Sequence, residues 1–182
     1  MTLDARTVLP TALLSALDCL GDDHGWRVAQ LCGGVALRLG LDVQVATLAG
    51  AVHDVGKLAV PLSVLNKPGP LSPDEQQLMR RHVPEGLAIL SALWPAAPAT
   101  VYQAVAQHHE REGGGGYPNG ETRLTALAAV LAAADVYDAL QSHRPYRPAH
   151  TPAEAYRLTC QEALPQWALA ALGEMVGIRV AS

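Results

Sequence analysis

Side chains able to ligate a metal recur through this chain about once per expected helix. They are His24, the His53-Asp54 pair, His82, the His108-His109 pair and Asp135. His53 follows His24 by 29 positions, His82 follows His53 by 29, and Asp135 lies 26 beyond His109. In a helical bundle, side chains from several helices can converge on one interior site. Adjacent ligands point about 100° apart on a helix, so each such pair can serve one metal or reach two that share a pocket. Taken singly, these residues have plainer readings. A histidine on an apolar helix face is more often a hydrogen-bonded core residue, and an acid after the apolar run 126–134 can be buried and paired without metal. It is the ensemble that raises the metal reading. His143 and His150 stand apart, beside Pro and Arg in an expected solvated loop.

Five imidazoles and two carboxylates, with no thiolate, suit Fe or Mn better than a structural zinc site. Two carboxylates, two divalent cations, one hydroxide and one phosphodiester sum to zero charge. A di-metal centre with this shell is therefore suited to hold a phosphodiester beside a bridging hydroxide. No Ser or Cys nucleophile motif competes with that chemistry.

The elements that must carry these residues are expected to be helices. The chain has 182 residues, 49% hydrophobic and only 16% charged, with no Phe. Its apolar weight falls on Ala, Leu and Val, which favours closely packed helices, and no period-two alternation marks a strand. The spacing predicts helices over residues 11–20 and 24–39, the latter closed by Gly40. A third is capped by Asp42 and breaks at Gly56, and one short turn covers 61–65. Ser72-Pro73-Asp74-Glu75 and Thr151-Pro152-Ala153-Glu154 read as capping boxes with proline in the first turn. The first opens a helix expected to break at Pro84 and resume to Leu93; the second opens one to Ala163. Further helices are expected over 100–110, 123–140 and 166–176. The fold class is thus an all-α, single-domain helical bundle spanning 1–182, with a buried metal site.

A net charge of −4 disfavours binding to a DNA or RNA polymer. The nine-residue apolar run 126–134 is too short to cross a bilayer, so no membrane role is expected. Cys19, Cys32 and Cys160, odd in number and without a CxxC pair, predict a reduced, cytoplasmic chain.

Three segments resemble the HD-GYP domain, the branch of the HD phosphohydrolase superfamily that hydrolyses cyclic di-GMP. They are HDVGKLAVPLSVLNKPGPLSPDE (53–75), HHEREGGGGYPNG (108–120) and ADVYDALQSHRPYR (134–147). The resemblance spans residues 24–157, leaving residues 158–182 as C-terminal helices. It implies a fold of the HD-domain type and a metal-dependent phosphodiesterase yielding pGpG, GMP or both. It further implies two divalent metal ions, one held by His24, His53, Asp54 and Asp135, the other by His82, His108 and His109, with Asp54 bridging. Asp54 and Lys57 are the implied catalytic residues, Lys57 contacting the scissile phosphate. Tyr117, Asp138, Arg144 and Arg147 join Lys57 as the implied substrate-holding set, and Glu110 is expected to orient a ligand imidazole.

Three positions depart from the family pattern. Leu20 stands where some members carry a Glu ligand, which predicts two metals, not three. Gly113 and Leu62 replace aspartates outside the ligand set. Those two motivate an alternative, a signalling module that binds cyclic di-GMP or a protein without useful catalysis. A second alternative is an HD-type nucleotidase, opposed by the tandem histidines, His82 and GYP. With no sensor domain expected in 182 residues, regulation is expected from a partner signalling protein or a homodimer.

Overall fold

A computed structural model describes residues 5–142 and 148–178. Among them there are ten α-helices and no strand. These are α1 (Thr11–Asp18), α2 (His24–Leu39), α3 (Val43–Val52), α4 (Leu62–Leu65), α5 (Pro73–Arg80), α6 (His82–Leu93), α7 (Ala99–Gln107), α8 (Ala126–Gln141), α9 (Pro152–Thr159) and α10 (Gln166–Met175). A 3₁₀ turn, Val55–Ala59, follows α3. None of these helices is long and apolar enough to cross a membrane.

Local chemistry sets most boundaries. Gly40 closes α2 in the left-handed conformation, at φ 66°, where L side chains are disfavoured. The Asp42 carboxylate accepts from the Val45 N–H at the start of α3. Both expected capping boxes are formed, Ser72 with Glu75 on α5 and Thr151 with Glu154 on α9.

Two expectations are corrected. The break expected at Pro84 falls instead at Arg81, and Pro84 sits in the first turn of α6. There its missing N–H costs nothing, because first-turn amides have no intrahelical acceptor. The helix expected to reach Ala163 ends at Thr159.

The sequence of α8 is apolar on every side through residues 126–134 because α8 is central. Residues 128–135, Tyr137 and Asp138 are buried, and α2, α3, α7, α9 and α10 pack around it. Small residues let α2 and α3 approach closely. A Cβ on Gly50 would stand 2.6 Å from the Ala29 Cα, and one on Gly25 would stand 2.9 Å from the Ala51 carbonyl oxygen. That contact brings the first residue of α2, His24, beside the residue that ends α3, His53: their rings are 5.2 Å apart. Gly56 plays the same part for α6, since a Cβ there would run into the His82 carbonyl oxygen and the Gly86 backbone.

Candidate metal centre

Three of the histidines sit where helices end. His53 follows α3, His108 follows α7, and His82 follows the turn that ends α5. The last four carbonyls of a helix have no intrahelical donor. Each imidazole supplies one through Nδ1, to the carbonyl three residues back. The distances are 2.8 Å for His53 to Gly50, 2.8 Å for His82 to Met79 and 2.7 Å for His108 to Val105. A carbonyl only accepts, so the proton of each neutral ring is on Nδ1 and the lone pair is on Nε2.

Those lone pairs converge. His82 Nε2 lies 3.3 Å from His108 Nε2 and 3.1 Å from His109 Nε2. His82 and His108, each with its Nδ1 proton committed to a carbonyl, repel one another at that distance unless a cation lies between them. Burial pushes the His108 and His82 rings down from the usual value, and His109 down to about 3, so protons are poor candidates for that cation.

His24, His53 and Asp135 form a second group, whose ligand atoms all lie within 4.8 Å of one another. His24 Nε2 is 3.0 Å from Asp135 Oδ1. His53 Nε2 is buried without a hydrogen-bond partner, an orphaned atom that a metal ion would satisfy. Burial opposes charge on His53, yet Asp54 and Asp135 beside it raise its pKa to about 10, so a proton occupies Nε2 near neutral pH until a metal ion displaces it. Burial likewise opposes ionisation of these two carboxyls, but the surrounding imidazoles, with Lys57 beside Asp54, hold both well below the usual carboxylate range.

Asp54 stands between the groups. Its Oδ2 is 3.3 Å from His53 Nε2 and 3.6 Å from His24 Nε2, while its Oδ1 is 3.6 Å from His82 Nε2. Lys57, one 3₁₀ turn on, forms an ion pair with Asp54 Oδ2. His24, Asp54, Lys57, His109 and Asp135 line an open cavity of about 1260 Å³, above the roughly 300–1,000 Å³ typical of small-molecule sites. Tyr117 stacks on His109, centroids 4.6 Å apart, and the Arg80 guanidinium lies 4.8 Å from the centroid of the phenol ring.

Two expectations meet different surroundings. Asp138, expected at the substrate, accepts from His24 Nδ1 at 2.7 Å and from Arg27 Nε and Nη2 at 2.8 and 2.9 Å. Both oxygens thus have partners, while Asp138 also lines the cavity. Glu110, expected to orient an imidazole, instead accepts from the backbone amides of Asn119 and Glu121 at 2.7 and 3.0 Å. It organises the glycine-rich loop that carries Tyr117, because that loop folds back over it. Gly113 adopts φ 83° in this loop, and Leu62 is 70% exposed at the start of α4. Arg144 and Arg147 lie outside the described residues. Arg27 was not among the expected site residues. The available signal was its spacing, three after His24, matching that of Asp138 three after Asp135.

The HD domain family matches residues 10–166. A cyclic di-GMP phosphodiesterase of Pseudomonas aeruginosa is 40% identical over 158 residues, which cover 81% of this chain and 38% of that protein. A 3'3'-cGAMP-specific phosphodiesterase of Vibrio cholerae is 37% identical over 129 residues, 68% of this chain and 30% of that one. The chain thus spans less than two fifths of either relative's length. Among solved structures, an HDG"Y"P protein from Bdellovibrio bacteriovorus superposes with a TM-score of 0.68 at 24% identity, covering 85% of this chain and 51% of that one. The HD phosphohydrolase family is metal-dependent, and the His/Asp cluster here can hold metal. Helical fold, ligand cluster and sequence match agree: the chain belongs to the HD domain family and carries the motifs of its HD-GYP branch.

Proposed function

We propose that this chain is a metal-dependent phosphodiesterase that opens cyclic di-GMP to pGpG, to GMP, or to both. One observation carries the reading: two ligand groups joined by Asp54, whose two oxygens face them separately. One divalent ion would be held by His24, His53, Asp54 and Asp135, and a second by His82, His108 and His109, with Asp54 shared. Fe or Mn fits this thiolate-free donor set. Bound, such ions supply Lewis acidity toward the phosphodiester and a water acidic enough to be a nucleophile near neutral pH.

The chain's own residues do the rest. Asp54 and Asp135, held ionised, provide the negative charge, and the anchored imidazoles present fixed Nε2 lone pairs. Lys57, on the cavity wall, is placed to neutralise charge on the phosphoryl oxygens. Tyr117 offers an aromatic face beside His109, and Arg144 and Arg147 would supply planar donors to phosphate or guanine. Residues 1–182 act in this reading as one catalytic domain in the cytoplasm, controlled by a partner protein or a second copy.

The test is anaerobic purification with Fe(II) or Mn(II), elemental analysis, and chromatography of products from cyclic di-GMP, with 3'3'-cGAMP in parallel. Two ions per chain and release of pGpG or GMP are expected. Fully loaded protein that leaves cyclic di-GMP intact would overturn the enzyme reading, and tight binding without turnover would establish the binding-module alternative instead.

A further inference from the structure

Helices α2 and α8 face each other through two matched pairs, His24 and Arg27 on one, Asp135 and Asp138 on the other. Residues three apart share a helix face, so the four side chains interleave. His24 Nε2 reaches Asp135 Oδ1 at 3.0 Å, and His24 Nδ1 reaches Asp138 Oδ2 at 2.7 Å. Arg27 then grips both Asp138 oxygens from the far side, Nε to Oδ1 at 2.8 Å and Nη2 to Oδ2 at 2.9 Å. Its Nη2 also donates to Ser142 Oγ at 3.0 Å, and that hydroxyl donates to the Asp138 carbonyl at 3.0 Å.

The need for this chain of contacts follows from where His24 sits. His53, His82 and His108 have their Nδ1 protons fixed by carbonyls at helix ends. His24 begins a helix, where the unpaired backbone groups are N–H donors and no such carbonyl is at hand. Asp138 takes the carbonyl's place. A carboxylate alone can swing about its χ2 bond and let the ring turn with it. A planar guanidinium holding both oxygens removes that freedom.

We propose that Arg27 is a positioning residue for metal binding. By clamping Asp138 it fixes the His24 ring, and it thereby sets the affinity of the His24–His53–Asp135 position while leaving the His82–His108–His109 position alone. Asp138 is the link in this chain, between the guanidinium and the imidazole. The inference rests on reading the two groups as metal positions.

Titrating the full chain with Mn(II), followed by equilibrium dialysis and electron paramagnetic resonance, tests it without any turnover assay. Wild type is expected to bind two ions. In Arg27→Gln, one of the two affinities should fall roughly 10–100-fold, the usual effect of removing an outer partner of a ligand, with the other unchanged. Arg27→Lys should fall between, because a point charge cannot hold both oxygens. Two ions at wild-type affinity in Arg27→Gln, or both affinities weakened equally, would overturn the proposal. If Arg27→Gln does not fold, as judged by circular dichroism, the near-isosteric Asp138→Asn decides by the same two outcomes. Wild type binding fewer than two ions would refute the two-metal reading itself, a result distinct from an unaltered Arg27 variant.

Discussion

Glu110 is fully buried, yet its carboxylate faces no metal ligand; it receives the amides of Asn119 and Glu121. Glu110→Gln would turn an amide N–H₂ toward one of those donors. A loss of about 1–3 kcal/mol is expected, the usual cost of an unsatisfied buried group. Urea unfolding measures it, and hydrogen exchange should quicken at Asn119 and Glu121; protected amides there would refute this role. Asp54→Ala removes the shared carboxylate and should abolish tight metal loading and turnover together, whereas His150→Ala should change neither. At this scale the sequence was readable in identity and less so in direction. The seven metal-binding candidates were legible because imidazole and carboxylate chemistry is carried by residue type. Which way Asp138 and Glu110 lean was not, because the first depends on Arg27, far away in the chain, and the second on how the following loop folds its Asn119 and Glu121 amides back.

Among the elements, the pairing of the turn 55–59 with α6 depends on Gly56, where any side chain meets the His82 carbonyl. Gly56→Ala should destabilise the fold by about 1–3 kcal/mol, typical of overpacking, and lower metal content by displacing His82 from Asp54; denaturant titration and elemental analysis report both. The capping boxes give a pH dependence. The Glu75 carboxyl is lowered from its usual 4.5 by the Lys67 ammonium and the Ser72 amide, and Glu154 is lowered from 4.5 by Thr151. Groups depressed in the folded state stabilise above their unfolded value and lose that effect as pH falls through the folded one. The first turns of α5 and α9 should therefore lose protection, measured relative to intrinsic amide exchange, as pH drops below about 4.5, and Glu75→Gln with Glu154→Gln should remove the dependence. These helix starts were legible because a capping box is a local contract between four residues. The break at Arg81 was not, because proline tolerates a first turn as readily as it disrupts an interior, and the choice between them is made by the packing that turns His82 inward.

For the molecule as a whole, the candidate ligands come from the starts of α2 and α6, the ends of α3 and α7 and the middle of α8. A cation held by them ties together segments far apart in the chain, and it binds the folded state alone. At a free concentration 100 times the dissociation constant, one such ion stabilises by about 2.7 kcal/mol. Mn(II) should raise the melting temperature, chelator should reverse the rise, and Asp54→Ala should show none; equal shifts in wild type and variant would refute the link. The helix-end histidines carry that dependence further. At His53, His82 and His108 one ring face closes a backbone and the other addresses the pocket, so scaffold and donor are a single side chain. Retuning this centre to another metal by exchanging those donors would unravel the turns that aim them. Selectivity in such a protein has to evolve around the imidazoles, in the carboxylates and outer partners, rather than through them.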